Sequence, residues 1–195
     1  LEKILSFGSI KYRRHNNNSD LTNDIADKLS VGLLVGWVQG RAEFGPRALG
    51  NRSILGDPRS VDMKERLNKR VKFREWFRPV APAILHEFGT EYFENYQESP
   101  YMERTLYFRS EVRDKVPAVV HEDGTGRLQT VKKAWNPLFH QLLSTFHAKT
   151  DIPILLNTSF NVMGRPIINT VNDAITVFFT TGLDVLVIGR YVLTK

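Results

Sequence analysis

From Trp37 to Pro82 the chain reads WVQGRAEFGPRALGNRSILGDPRSVDMKERLNKRVKFREWFRPVAP, and no other stretch restricts the fold as strongly. Between Arg41 and Arg78 it carries eleven Lys and Arg against five Asp and Glu, an excess of six that equals the net charge of the whole chain. The cations alternate with Gly45-Pro46, Gly50 and Gly56-Asp57-Pro58, so many sit on or beside turns rather than along one helix face. Arginines on turns, near exposed backbone N–H groups, suit phosphate or carboxylate oxygens because the guanidinium fork matches two oxygens at once. The stretch predicts an anion-binding site of small-molecule size.

The rest of the composition sets the frame. With 195 residues, 42% of them hydrophobic, the chain is long enough for one domain with a sizeable core. It has no cysteine, which removes disulfide and thiolate chemistry and suits a reducing, cytoplasmic setting. No apolar run reaches the ~20 residues of a membrane span, and no signal-peptide pattern is present. The chain opens on Leu1 rather than Met, which is expected of a piece of a longer polypeptide. A charge of +6 favours an anionic partner without separating nucleotide from nucleic acid.

In chain order, residues 1–19 are weakly patterned, and Arg13 to Asp20 reads as a linker or tail. A domain is expected over 20–195. Leu21, Ile25, Ala26 and Leu29 have helical spacing and end near Gly32; Leu33 to Val38 is a buried strand. Asp57-Pro58 reads as a helix start, followed by an apolar stripe of Met63, Leu67 and Val71, with Lys64 on the exposed side. Val80 to Leu85 returns as a strand, and Pro82 places it at an edge or a bulge. From Glu87 to Val131 loops and edge strands are expected, with Asp123-Gly124-Thr125-Gly126 turning Arg127 onto a strand. Asn136-Pro137 opens a helix whose face is Leu138, Phe139, Leu142, Leu143 and Phe146. Ile152 to Leu156 is a strand running into Asn157-Thr158-Ser159-Phe160-Asn161. Thr170 and Asp173 make a capping box before the next helix, and Val185 to Ile188 and Tyr191 to Leu193 end the chain as strands. Strands alternating with helices indicate α/β with a mixed sheet.

Several chemistries have no signature. GxxxxGK[ST], GxGxxG and HExxH are all missing. His140 and His147 lie seven apart on one helix, about 10 Å along its axis, too far to share an ion. Any metal is expected to be Mg²⁺ carried in by phosphates. Three pieces remain. Gly45 to Ser53 is a basic glycine-rich turn, equally readable as a structural turn with surface arginines. Lys72 to Pro79 interleaves cations with Phe73, Trp76 and Phe77, which suits nucleotide or single-stranded nucleic acid, or a helix end with core aromatics and solvated cations. Asn157 to Asn161 puts small polar side chains at the carboxyl end of a strand, where α/β sheets bind ligands, although simple turn chemistry reads alike.

GRAEFGPRALGNRSILGDPR, VKFREWFRPVAPAIL and LLNTSFNVMGRPI, in this order, resemble the carboxy-terminal domain of the O-carbamoyltransferases that tailor nodulation factors and antibiotics. The resemblance runs from about Asp20 to Leu193 and implies a YrdC-like twisted mixed sheet flanked by helices. It further implies an enzyme domain that binds ATP, with Mg²⁺, and carbamoyl phosphate and forms carbamoyl-adenylate. An amino-terminal, actin-like transfer domain, absent from these 195 residues, would pass the carbamoyl group to a hydroxyl. Carried over by position, the pocket would use Arg47, Lys72, Arg78, Arg127, Asn157 and Ser159, with Lys72, Arg78 and Arg47 as the catalytic cations. Cationic clamps of this kind stabilise charge on a transferring phosphorus and a departing pyrophosphate. Lys72 is expected at the surface, its backbone pinned by Phe73, Trp76 and Phe77. The competing readings are an RNA-binding YrdC-like module, a threonylcarbamoyl-adenylate-type synthase of transfer-RNA modification, and a nonenzymatic docking domain. Neither membrane nor nucleic acid is the expected partner.

Overall fold

The computed structural model describes residues 2–8 and 10–195. Its elements are α1 (Glu2–Phe7), β1 (Arg13–Arg14), α2 (Asn18–Ser30), β2 (Val35–Val38), β3 (Arg52–Gly56), α3 (Met63–Leu67), β4 (Ala81–Leu85), α4 (Gly89–Tyr92), β5 (Arg104–Tyr107), α5 (Ser110–Arg113), β6 (Thr125–Val131), α6 (Pro137–Thr150), β7 (Ile154–Ser159), α7 (Val171–Thr180), β8 (Val185–Ile188) and β9 (Tyr191–Thr194). The strands form one nine-stranded mixed sheet in the order β1-β9-β8-β2-β3-β7-β4-β6-β5. β2 with β8 and β4 with β6 run parallel; the other pairs are antiparallel. The architecture is the expected mixed α/β sheet.

The clearest local signals form as read. Asn136 caps α6 by accepting the Phe139 N–H at 3.1 Å, and Pro137 occupies its first turn. Phe139, Leu142, Leu143 and Phe146 are buried, as are Leu21, Ile25 and Leu29 on α2, which packs against α6. Thr170 Oγ1 accepts the Asp173 N–H at 3.1 Å while Asp173 Oδ2 accepts the Thr170 N–H at 2.8 Å, closing the capping box of α7. Thr170→Ala is expected to cost about 1 kcal/mol, a fall in melting temperature of about 2–4 °C in a thermal scan.

Three expectations need correction. The segment read as a linker or tail contributes α1, which buries Leu5, and β1, which pairs with β9. Asn17 caps α2, and His15 is buried with its ring on Asp24 at 3.0 Å. A polar run can still be ordered when its side chains cap and pair. The helix expected at Asp57-Pro58 begins only at Met63, because Asp57 is taken by Arg59, whose guanidinium and backbone N–H both bond to it. β4 is neither edge nor bulge; it lies between β7 and β6 and is buried throughout. Leu85 N donates to Pro153 O on the β7 side, so alternation turns the Pro82 nitrogen toward β6, just before that ladder begins at Ala83. The missing N–H therefore leaves no gap in the ladder.

Cross-strand register gathers the polar residues on one face. Trp37, Ser53 and Ser159 are neighbours across β2, β3 and β7, and Leu55, Asn157 and Ala81 form the next row. Arg127 and Gln129 of β6 continue that face, since Gln129 pairs with Ala83. The opposite face carries Gly36, where an added Cβ would stand 2.7 Å from the Phe160 ring.

Candidate functional site

The three sequence segments converge where β7 ends and β3, β4 and β6 begin. The Gly45 to Asn51 loop lies over the polar face, fixed by side chains from the strands beneath. Asn157 Nδ2 donates to Ala48 O at 3.2 Å and to Gln129 Oε1 at 2.7 Å, and Gln129 Nε2 donates to Leu49 O at 2.9 Å. Ser159 Oγ accepts the Ala48 N–H at 3.3 Å, and Ser53 Oγ accepts the Gly50 N–H at 3.0 Å. From the loop's own side, one Glu43 oxygen accepts the N–H groups of Leu49, Asn51 and Arg52 at 2.8, 2.6 and 3.3 Å. Asn157 and Ser159 thus hold the loop, and the Asn157 Oδ1 atom stays buried and unpartnered.

The second segment is built around Asn68, which sequence reasoning passed over. α3 widens into a π-helical turn, Asn68–Lys72, which ends at Phe73 with φ +50°, a left-handed conformation that costs a bulky residue of order 1–3 kcal/mol. Asn68 is buried; its Nδ2 donates to Trp76 O at 3.0 Å and Arg78 O at 2.9 Å, and its Oδ1 accepts Arg74 Nε at 2.7 Å. One amide therefore shapes the whole 73–78 loop. Asn68→Ala leaves two carbonyls without partners and the Arg74 guanidinium with only its long bond to Pro79 O, and should lower stability by about 1–3 kcal/mol in a denaturant titration. Only its flanks, an apolar stripe breaking into a basic run, hinted at it in the sequence.

The turn delivers Lys72 to the end of β7. Its Nζ donates to Ser159 O and to Asn161 Oδ1, the latter at 2.7 Å, and the residue is 3% exposed. The expectation of a surface lysine is wrong: local charge density does not reveal that a π-helical turn folds one cation inward. Phe73, Trp76 and Phe77 are 54%, 60% and 56% exposed, so they do not pin the segment as core. Trp76 and Phe77 instead meet edge to face at 5.9 Å and, with Pro79, Val80 and His121, wall a groove of about 560 Å³. Lys64 lines the same groove, which disqualifies it as the neutral surface position it was expected to be.

Of the eleven cations, several are structural. Arg52 is buried and donates to the carbonyls of Gln39, Gly40 and Asn51. Arg59 bonds Asp57 and Ser30 O, Arg66 bonds Gly32 O, and Arg70 stands 3.9 Å from Asp184. Lys72 sits at the end of β7, with Arg74 beside it and Arg78, Arg47 and Arg127 beyond. Burial, then the neighbouring Arg74 charge, pushes Lys72 down to about 7. Burial depresses Arg74, followed by Arg78 and Arg127; burial depresses Arg127, followed by Arg47. Arg78 pairs with Glu75 at 2.7 Å, while Arg47, Lys72, Arg74 and Arg127 have no ion pair among the described residues. The Arg127 Nε is buried without a partner. Arg47, Lys72, Arg78 and Arg127, the sequence candidates, are thus linked into one field through Arg74, which was not singled out. Mutual repulsion of half-buried cations is unfavourable until an anion arrives. Among the described residues no group of three or more His, Asp or Glu side chains is placed to hold a metal ion, and no helix is long and apolar enough to cross a membrane.

The sequence profile described as "Carbamoyltransferase C-terminus" matches residues 26–195. The chain belongs to this carbamoyltransferase family. Among curated relatives, it is 46% identical over 181 residues to nodulation protein NolO of Bradyrhizobium diazoefficiens, covering 91% of this chain and 33% of that protein. It is 41% identical over 169 residues to the 3'-hydroxymethylcephem-O-carbamoyltransferase of Amycolatopsis lactamdurans, covering 86% of this chain and 32% of the relative. A carbamoyltransferase C-terminus thus spans about a third of the length of these relatives. Among solved structures, E. coli YciO superposes with a TM-score of 0.62 at 13% identity over 90% of this chain and 81% of its own. Full-length HypF, solved in a phosphate- and nucleotide-bound form, gives 0.55 at 14% identity over 95% of this chain and 22% of HypF. These likenesses establish the YrdC-like fold expected for the family.

Proposed function

We propose that this carbamoyltransferase C-terminus binds ATP and carbamoyl phosphate and forms carbamoyl-adenylate, the activation half of an O-carbamoylation. The observation that carries the reading is the field of Lys72, Arg74 and Arg127 at the end of β7, joined by Arg47, none of them in an ion pair among the described residues. Family membership supports the carbamoyl chemistry. In the balanced reaction, water and carbamoyl phosphate yield carbamate and inorganic phosphate. A carbamate oxygen then attacks the α-phosphorus of ATP, the α–β bridging bond breaks, and pyrophosphate leaves.

The protein's part is charge and position. Lys72, Arg74 and Arg127 neutralise the oxygens on which charge grows, with Arg47 and Arg78 at the open side. The loop of Ala48 to Gly50, fixed from below by Asn157 and Ser159, bounds the site. Mg²⁺ would be held through phosphate oxygens, because the protein groups here are cations and amides, and it would add charge neutralisation. An actin-like transfer domain preceding this segment in the same polypeptide would receive the carbamoyl-adenylate.

Two measurements test the reading. The folded chain should catalyse ATP–pyrophosphate exchange that depends on carbamoyl phosphate and Mg²⁺; exchange independent of carbamoyl phosphate, or none with folded protein, overturns it. The chain on its own should leave hydroxyl acceptors unmodified, as read by mass spectrometry of an acceptor sugar. An O-carbamoylated product from this segment alone would show that the transfer site lies within it.

A further inference from the structure

Lys72 Nζ has an unusual set of partners for a buried lysine. A tetrahedral nitrogen bonded to Cε has three further positions. Two are N–H groups donated to the Ser159 carbonyl and the Asn161 amide oxygen, both neutral acceptors. Among the described residues no carboxylate stands within 4 Å of Nζ, and no third acceptor is within hydrogen-bonding reach. Both acceptors are met equally by an amine, and the remaining position on Nζ is without a partner among the described residues.

The charges around it point the same way. The end of β7 and the following turn offer only Ser159 and Asn161, beyond which Asn161 binds the carbonyl of exposed Arg165. Its own π-helical turn contributes the neutral Asn68 and the exposed cations Lys69 and Arg70. The 73–78 loop contributes Arg74, with Arg78 and Glu75 behind it, and the Glu75 carboxylate is held by Arg78. β6 contributes Arg127 and the 45–51 loop Arg47. One oxygen of the Glu43 carboxylate is turned to the backbone of its own loop, and the other is buried without a hydrogen-bond partner. A proton on the buried Lys72 would add a positive charge beside the half-buried Arg74 guanidinium, with no carboxylate paired to Lys72 among the described residues.

Resting on the reading of this site as a nucleotide-phosphate site, we infer that Lys72 stands in the ligand-free site as a neutral amine and takes up a proton as the polyphosphate binds. The ligand the site recognises is therefore a phosphoanion together with a proton, and the third ammonium N–H is made only when an oxygen is present to accept it. In the transferred step the proton moves from solvent to the Nζ lone pair, and no covalent bond to the ligand forms. The ordinary range of a lysine lies far above neutrality, whereas burial and Arg74 bring this one to about 7, consistent with an amine that is deprotonated in weak alkali.

The test is calorimetry of ATP with excess Mg²⁺ binding to the folded chain, at about pH 8 in buffers of low and high ionisation enthalpy. The expected result is an observed enthalpy that varies with the buffer, its slope giving close to one proton taken up per ATP, and a slope that shrinks toward zero near pH 6. Lys72→Arg, permanently charged, should bind without the proton. Equal enthalpies in all buffers would overturn the inference while leaving nucleotide binding intact. Absence of binding in every buffer would overturn the functional reading and this inference with it. Should the variant fail to fold, carbon-13 NMR of the lysine side chains in the wild-type chain gives the same answer. One ε-carbon should titrate near neutrality and move upward on adding ATP; if every lysine titrates in the ordinary range, the inference fails.

Discussion

Lys72→Met should lower carbamoyl-phosphate-dependent ATP–pyrophosphate exchange by roughly 100- to 1,000-fold, the loss typical of removing one positioned electrostatic contact. Met fills the volume of the aliphatic stem and removes only the amine, so the fold is expected to survive. Lys11→Ala is the control, since Lys11 is exposed and leads into β1 at the far edge of the sheet. The same variant carries a stability signature with a definite sign. Burial holds Lys72 at about 7 in the folded chain, against an ordinary value of 10.5 when unfolded. Between those values the unfolded chain binds more protons, so this residue makes the wild type more stable as pH rises, by up to about 1.4 kcal/mol per pH unit. Lys72→Met lacks that dependence. The melting temperature of the variant minus that of the wild type should therefore fall steadily from about pH 7 toward pH 10. A difference constant with pH would show that the amine is not desolvated, and undiminished exchange would remove Lys72 from the reaction.

The second large effect is expected at Gly50. Its φ of +105° lies in the region L-residues avoid, and an added Cβ would stand 2.5 Å from Cδ1 of Phe139. Phe139 is fully buried in the face of α6 and cannot swing aside without opening the core. Gly50→Ala combines backbone strain of about 1 kcal/mol with overpacking of about 1–3 kcal/mol. For a chain of this length that amounts to a loss in melting temperature of about 5–15 °C. Gly50 also passes its N–H to Ser53 and its carbonyl to the Trp37 indole, so the substitution should loosen the loop that covers the polar face. Exchange activity should fall at temperatures where the variant is still folded. The companion change Phe139→Leu, which makes room, should restore part of both losses. If Gly50→Ala melts like the wild type, the close approach of loop and helix is wrong.

The inward turn of Lys72 explains why the site was only half legible. The segments GPRALGNRS, VKFREWFRP and LLNTSFN were recognisable as chemistry because glycine, proline and interleaved arginine leave a signature within a few residues. What each arginine does is not local. Arg52 and Arg47 are five apart in one turn-rich run, yet Arg52 is buried on three carbonyls and Arg47 is exposed beside Arg127. Lys72 meets its partner 87 residues away, and Asn157 reaches Ala48 across 109. Asn68 looks like any polar residue at the end of a short helix until the loop it bonds is in place.

By itself the sequence determined the elements whose stabilising contacts lie within one or two turns of the chain. Asn136-Pro137 opens α6, Thr170 and Asp173 cap α7, and the apolar runs at Val35 to Val38 and Ile154 to Leu156 become central strands. It also determined the alternation of strand and helix, and with it a mixed α/β sheet. The tertiary structure decided the rest. It placed β4 at the centre despite Pro82, because the missing N–H points to where no ladder has begun. It drew residues 13–14 into an edge strand, because β9 offered an unpaired side. It chose which cations are structural and which face a ligand, because that depends on whether a carbonyl or carboxylate from a distant strand arrives to meet them.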